Sequence, residues 1–337
     1  MTTTTLAHPA PPEGPGVPPS LQRAAALVAP AIDRAVGRLS PELRAPVEHH
    51  LAGGGKRVRA ALVLLSAAAA GADESVGVVG AVAVELVHNF SLLHDDIIDE
   101  DRERRHRPTA WAEFGVDRAI IAGDALATLA IQLLLEDPTP ERVAATASLA
   151  AATQAMIAGQ ADDMAFEKRA EVSVAECLAM EAGKTGALLA CAASLGAVLA
   201  GAPEPVAEAL HDFGAHLGAA FQAIDDLLGI WGESAATGKP VGSDLLRGKK
   251  TLPVATALDR GGEAAAALRA VLDGPLDDAA VERATELLVD TGVLAELRSL
   301  ADTELGLALA ALARADLAPP AAAELRELAA FVASRDR

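Results

Sequence analysis

The chain has 337 residues, with 47 acidic and 28 basic side chains and a net charge of −19. That balance excludes duplex DNA or RNA as a bulk ligand, because phosphate backbones need a positive surface. The 2% aromatic content, with no tyrosine, excludes a base-stacking platform. Hydrophobic residues make up 51% and charged residues 22%, a globular composition long enough for two ordinary domains or one large one.

Residues 1–20, MTTTTLAHPAPPEGPGVPPS, read as a flexible Pro-rich leader. They lack the basic start and apolar stretch of a signal peptide. Beyond them almost every segment predicts helix. The first is Leu21–Leu39; then Ser40 caps a helix with Pro41 at its first position. Gly53-Gly54-Gly55 ends that helix, and others follow at about 56–71, 75–100, 116–136 and 140–169. Ser173 and Glu176 form a capping box for a helix to about Ala202. A helix over about 205–230 leads into the one long polar loop inside the body, 232–250. Four or five helices finish the chain, at about 251–259, 263–272, 278–291, 293–317 and 320–334. No stretch alternates as a strand does, and no linker divides the body. The prediction is one large all-α domain over 21–337.

The uncharged stretch Gly186–Ala202, 17 residues, is at the short edge for a bilayer span and reads better as a helix buried among helices. Cys177 and Cys191 form no C-x-x-C pattern. They read as small core residues in a reducing cytosol, without a disulfide or zinc site.

The chemistry concentrates in a few places. In LLHDDIIDEDRERRHRPTAW, Asp95, Asp96 and Asp99 stand at i, i+1 and i+4. Carboxylates stacked on one helix face repel unless a cation holds them. Oxygen donors of this kind suit Mg²⁺ completed by substrate phosphates; the alternative is a solvated acidic helix end. Arg104 and Arg105 lie just beyond, well shaped for bidentate phosphate contacts or for a local salt-bridge network. A second acidic site, FQAIDDLLG, carries Asp225 and Asp226 but has Gly229 at i+4. Lys239, Asp244, Lys249 and Lys250 follow in the polar loop, where Asp244 is placed to supply a further negative group.

The turn GGGKRVR at 53–59 puts Lys56 and Arg59 at a helix start, an anion site without the P-loop signature. Lys184 stands inside an apolar helix, where a lysine either snorkels to solvent or binds an anion. His88, two turns before Asp95, is either a core histidine or a ligand. Together, two acidic helix ends, several basic groups and an apolar helical body point to a metal-bridged polyphosphate on a hydrocarbon.

The pattern resembles the trans-prenyl (isoprenyl) diphosphate synthases, which include the farnesyl and geranylgeranyl diphosphate synthases. The resemblance runs from about residue 20 to the end. It rests on GGGKRVR at 53–59, DDIID at 95–99 with RR at 104–105, GD at 123–124, GQ at 159–160, KTG at 184–186, FQAIDD at 221–226, GK at 238–239 and GKKT at 248–251.

The resemblance implies an all-α bundle around a central apolar tunnel, the type I isoprenoid synthase fold, usually as a homodimer. It implies three Mg²⁺ ions, two on Asp95 and Asp99 and one on Asp225, with Asp96, Asp226 and Asp244 in support. Arg104, Lys184 and Lys239 would bind the allylic diphosphate, with Lys249 a further phosphate ligand. Lys56, Arg59, His88 and Arg105 would hold isopentenyl diphosphate. Thr185 and Gln222 would flank the developing carbocation, and closure of 232–250 would exclude water.

Three positions depart from the family pattern. Gly229 replaces the last aspartate of the second acidic motif, His106 replaces a glycine after the two arginines, and Ala60 replaces a proline. Phe90 and Ser91, five and four residues before Asp95, occupy positions that close the tunnel floor in such enzymes. Five helical residues rise about 7.5 Å, between one and two isoprene units. The expected product is geranylgeranyl diphosphate (C20), with farnesyl diphosphate (C15) as the alternative. A class I terpene cyclase and a non-catalytic partner subunit are weaker alternatives. The protein is expected in the cytoplasm, without stable membrane insertion.

Overall fold

The computed structural model describes residues 17–232 and 242–334. Its helices are α1 (Pro19–Val36), α2 (Pro41–Leu51), α3 (Val58–Ala69), α4 (Val78–Ile98), α5 (Ala110–Phe114), α6 (Val116–Leu135), α7 (Pro140–Phe166), α8 (Val174–Glu181), α9 (Ala187–Leu199) and α10 (Glu204–Trp231). After the loop come Ser243–Leu246, Leu252–Arg260, Gly262–Leu272, Asp278–Asp290, Val293–Leu312 and Pro319–Ala333. The predicted helices are found with ends shifted by a few residues; the largest shift shortens 293–317 to Val293–Leu312. Part of the predicted polar loop is the short helix Ser243–Leu246, and 233–241 lie outside the described residues.

Local chemistry sets the boundaries. Ser40 precedes Pro41 as expected, and Ser173 makes the capping box with Glu176. Gly115, at φ 90°, separates α5 from α6 with a backbone angle that side-chain-bearing residues rarely adopt. The reading without strands needs one correction. Glu103–Arg104 and Arg107–Pro108 pair as a minimal antiparallel hairpin. Its turn residues, Arg105 and His106, have φ of 53° and 59°, the left-handed pair a type I′ turn demands. Thr109 Oγ1–H and Trp111 Nε1–H both donate to the Asp101 carbonyl and hold its base. Two residues per strand are too few to show alternation in sequence.

Contacts divide the chain into two compact units. The first comprises 1–153, 188–214 and 311–331; the second comprises 154–187, 215–310 and 332–337. In the first unit α3 is buried almost all round, as its unbroken apolar sequence requires. It packs with α1 and α4, and α4 packs along α6. Leu62, Leu65, Leu86, Leu93 and Leu126 are fully buried there. The second unit has its own core of Leu227, Ile230, Leu245, Val254, Leu268 and Leu288.

Three stretches, Glu74–Ile98, Val116–Leu135 and Val174–Leu199, are long and apolar enough to cross a membrane by length and composition. Counting uncharged residues alone drew attention to only one of them. Protein covers most of the first and third (67% and 61% buried), which is what core helices require. Cys177 and Cys191 are free and buried, and burial pushes both thiols up to about 12.

Candidate active site

In the first unit, Asp95, Asp96 and Asp99 close the last turn of α4, where Asp99 N–H donates to the Asp95 carbonyl. Carboxylates at a helix C-terminus face the negative end of its dipole, so a cation there relieves both effects. Asp96 is buried, and its Oδ1 accepts from Arg104 Nε at 2.7 Å. Burial pushes its pKa up to about 6 while Arg104 opposes the rise. Among the described residues, Asp96 Oδ2 is buried without a hydrogen-bond partner. Arg104 is thus engaged with the acidic motif itself, the salt-bridge reading, through one edge of its guanidinium.

The basic groups gather on the same end of α4. The hairpin turn carries Arg105 back to α2, where Nη1 donates to the Gly53 carbonyl at 3.2 Å. His88 Nε2 faces Arg59 Nη1 at 3.4 Å. Burial and then the charges of Arg59 and Arg105 hold His88 well below its ordinary pKa, so its ring is a neutral acceptor. Lys56 is exposed at the glycine turn, 5.6 Å above the Phe331 ring.

Two residues of this region escaped the sequence reading. His50, beside Arg104 and Arg105, is pushed down to about 3 by desolvation. Arg57, between Lys56 and Arg59, turns inward with φ 55° and pairs with buried Glu85 at 2.6 Å. Glu85 also accepts the Ala60 N–H. A lone glutamate in the apolar run AVAVELVHNF was the available signal for that pair.

Phe90 is buried with its ring against His94, and Ser91 Oγ donates to the His88 carbonyl. The sequence places Phe90 on α4 but gives no sign of the His94 contact.

In the second unit, the helix predicted from Ser173 to Ala202 is broken by a wider turn of π type, Ala182–Gly186. Glycines allow it. A Cβ on Gly159 of α7 would lie 2.8 Å from the Met180 carbonyl oxygen and 2.9 Å from Lys184 Cα. Such turns inside a helix often mark functional positions, and this one carries Lys184 and Thr185. Lys184 does not snorkel: Nζ meets Asp163 Oδ2 at 2.5 Å, both half-buried. Asp163, three residues after the Gly159-Gln160 pair, was not singled out in sequence.

From Thr185 a relay runs into α10. Thr185 Oγ1–H donates to Gln222 Oε1 at 2.9 Å, and Gln222 Nε2–H donates to Asp226 Oδ1 at 2.8 Å. Asp226 Oδ2 accepts the Leu252 N–H at 3.1 Å. Buried Glu181 hydrogen-bonds Asp226 as well. Burial pushes both acids up, and the neighbouring Asp226 raises Glu181 further. Asp225 is half-buried at the preceding position of α10.

Gly229 is the notable departure. An added Cβ would lie 2.5 Å from Asp244 Oδ2. The Asp244 carboxylate therefore stands over the position where the acidic ladder lacks its last rung. Lys249 N–H donates to the Asp244 carbonyl. Lys239 lies outside the described residues.

The donor set fits Mg²⁺. It is all carboxylate, it stands at a helix C-terminus, and it includes a buried oxygen left without a partner at Asp96. Among the described residues no three acids, histidines or cysteines form a self-contained cage. Mg²⁺ needs none, since it keeps waters and shares substrate phosphates.

These features define an all-helical, carboxylate- and arginine-bearing class of protein. A family model for polyprenyl synthetase matches residues 40–288, and the chain belongs to that family. It is 49% identical over 265 residues to a (2E,6E)-farnesyl diphosphate synthase of Mycobacterium tuberculosis, covering 75% of this chain and 74% of the relative. A geranylgeranyl diphosphate synthase of the same organism is 43% identical over 314 residues, 89% of each chain. The crystal structure of a polyprenyl synthetase from Streptomyces coelicolor superposes with a TM-score of 0.88 at 45% identity, over 93% of this chain and 98% of that one.

Proposed function

We propose that the chain is a trans-prenyltransferase that condenses isopentenyl diphosphate with dimethylallyl, geranyl or farnesyl diphosphate, and that its product is geranylgeranyl diphosphate. The observation that carries this is the end of α4. There Asp95, Asp96 and Asp99 share one neighbourhood with Arg104, Arg105, His88 and Arg59. Carboxylates for a metal and cations for an anion on one helix end are what a metal-bridged diphosphate needs.

The roles follow the sequence reading. Lys56, Arg59, His88 and Arg105 hold isopentenyl diphosphate; Arg104, Lys184, Lys239 and Lys249 hold the allylic diphosphate. Asp95 and Asp99 would hold two Mg²⁺ ions and Asp225 a third, with Asp96, Asp226 and Asp244 behind them. Mg²⁺, when bound, neutralises the leaving diphosphate. Arg104 and Lys184 add fixed positive charge where the leaving group develops negative charge. Gln222 orients the Thr185 hydroxyl by accepting its hydrogen bond, and the two would flank the allylic cation with neutral dipoles. Neutral His88 and its arginines hold isopentenyl diphosphate for attack by its double bond, and orientation supplies much of the rate.

The family match at 40–288 draws on both units, which supports reading 21–337 as one domain. Val116, Ile120 and Ile121 leave an exposed apolar patch on α6, which supports a homodimer. A cytoplasmic enzyme without stable membrane insertion is supported by the cover over two of the three long apolar helices, with the exposed patch of α6 left for the dimer.

Farnesyl diphosphate is the second reading for the product, favoured by the 49% identity to a farnesyl diphosphate synthase. The test supplies isopentenyl diphosphate with each allylic starter, with and without Mg²⁺, and identifies dephosphorylated products by mass spectrometry. Mg²⁺-dependent C20 alcohol with a C15 intermediate is expected. Elongation that stops at C15 favours the second reading, and no elongation from any starter overturns the function. A cyclic hydrocarbon from geranylgeranyl diphosphate would instead mark a cyclase. Asp95→Ala should abolish turnover, whereas a non-catalytic subunit would still support its partner.

A further inference from the structure

A chain of contacts between α4 and α6, within the first unit, plays no part in the reaction as described above. Phe90 and His94 stand one turn apart on α4. Their rings meet edge to face, 4.9 Å between centroids and 78° between planes. The His94 Nε2–H donates to the Ile120 carbonyl of α6 at 3.0 Å. Gly123 follows one turn along α6, and a Cβ there would lie 2.6 Å from His94 Cδ2. Real side chains do not approach that closely, so His94 keeps its place only because residue 123 has no side chain.

The α6 helix therefore sets the His94 ring in two ways, through an acceptor and through a gap. His94 in turn sets Phe90. An aromatic side chain on a helix chooses among a few staggered rotamers, and an edge-to-face neighbour biases that choice. His94 is also the residue before Asp95, so one helix contact references both the Phe90 ring and the first carboxylate. The distance between them along α4 is fixed by helical rise at about 7.5 Å. What remains adjustable is the direction of the Phe90 ring, which His94 touches directly and Gly123 reaches through His94.

We propose that His94 and Gly123 are specificity-determining positioning residues that act through Phe90 to set where the growing prenyl chain stops. This rests on the prenyl-elongating function and on Phe90 as the floor.

The experiment compares product spectra of wild type, His94→Ala, Gly123→Ala, Phe90→Ala and the double variant Phe90→Ala/His94→Ala. All receive Mg²⁺, isopentenyl diphosphate and dimethylallyl diphosphate, and circular dichroism melting checks folding. His94→Ala frees the ring, and products at least one prenyl unit longer should rise about two- to tenfold. Gly123→Ala drives His94 off the Ile120 carbonyl and should shift the spectrum the same way. The double variant should match Phe90→Ala alone, because His94 acts only through that ring.

Wild-type spectra from both His94→Ala and Gly123→Ala overturn the inference. A His94 effect that adds to that of Phe90→Ala overturns it too, as does a folded His94→Ala with no product at all, which would place His94 in the ionisation chemistry. Wild type without any elongation would instead remove the proposed function.

Discussion

Asp95-Asp96 and Asp225-Asp226 are the same dipeptide near the ends of two long helices, yet their inner carboxylates are neutralised differently. Asp96 is compensated by a cation, Arg104, at 2.7 Å. Asp226 has no cation among its described partners; Gln222, Leu252 N–H and Glu181 surround it. Both acids are raised by burial, but the first is held by a charge and the second by neutral amide donors and a second acid. The contrast teaches that an acidic motif does not state its own ionisation. The groups folded against it do.

The largest test of this contrast removes each partner. Arg104→Met leaves the Asp96 carboxylate buried and uncompensated, and should cost about 2–3 kcal/mol in urea unfolding. Glu181→Gln keeps a neutral donor to Asp226 and should stay within about 1 kcal/mol of wild type. Equal losses from the two would erase the difference.

Next in size is the missing rung. Gly229→Asp repairs the motif on paper, but its Cβ meets Asp244 Oδ2 at 2.5 Å. We expect a loss of about 1–3 kcal/mol from overpacking. The stabilisation by Mg²⁺ with inorganic diphosphate, read by thermal shift, should also fall. A larger Mg²⁺-dependent shift than wild type would show that Asp244 does not serve in place of the absent carboxylate.

The third prediction sets the basic side against the acidic ones by pH. His50 titrates at 6.5 in an unfolded chain and near 3 in the fold. Between those values the unfolded chain binds the extra proton. Stability is therefore intact above 6.5 and falls with pH below it, by up to about 1.4 kcal/mol per unit. Melting temperature against pH should fall in this sense, and His50→Gln should remove its share of the slope and leave that of His88, which burial also holds down. Asp96 has the opposite sense, since a raised carboxylate pKa favours the fold below about 6.

The smallest effect concerns the turn that delivers Arg105. His106 sits at φ 59°, where a glycine carries no steric penalty. His106→Gly should stabilise by about 0.5–1 kcal/mol, less the entropy glycine adds to the unfolded chain. A loss of stability on chemical denaturation would mean that the imidazole contributes more than its backbone strain costs.

Much of this was legible in the chain. Helical periods, Ser40-Pro41, the Ser173 capping box and the glycine and proline breaks follow from local chemistry, so their positions were readable to within a few residues. The acidic and basic motifs were readable because their spacing is itself helical. The hairpin at 103–108 was not, because two-residue strands carry no period. The turn at 182–186 was not, because it packs against Gly159 of another helix, a contact that local sequence does not show. Glu181, Asp163, Glu85 and His50 were passed over because each acts through a partner distant in sequence.

By itself, then, the sequence determined an all-helical body, the two acidic helix ends and the residue types able to hold a diphosphate, since these depend on neighbours within a turn or two. Only the tertiary structure decided which carboxylate meets an arginine and which a second acid, that Lys184 pairs with Asp163, and that Asp244 stands over Gly229. Those outcomes depend on burial and on approach between distant segments, and desolvation sets charge only once the chain has folded.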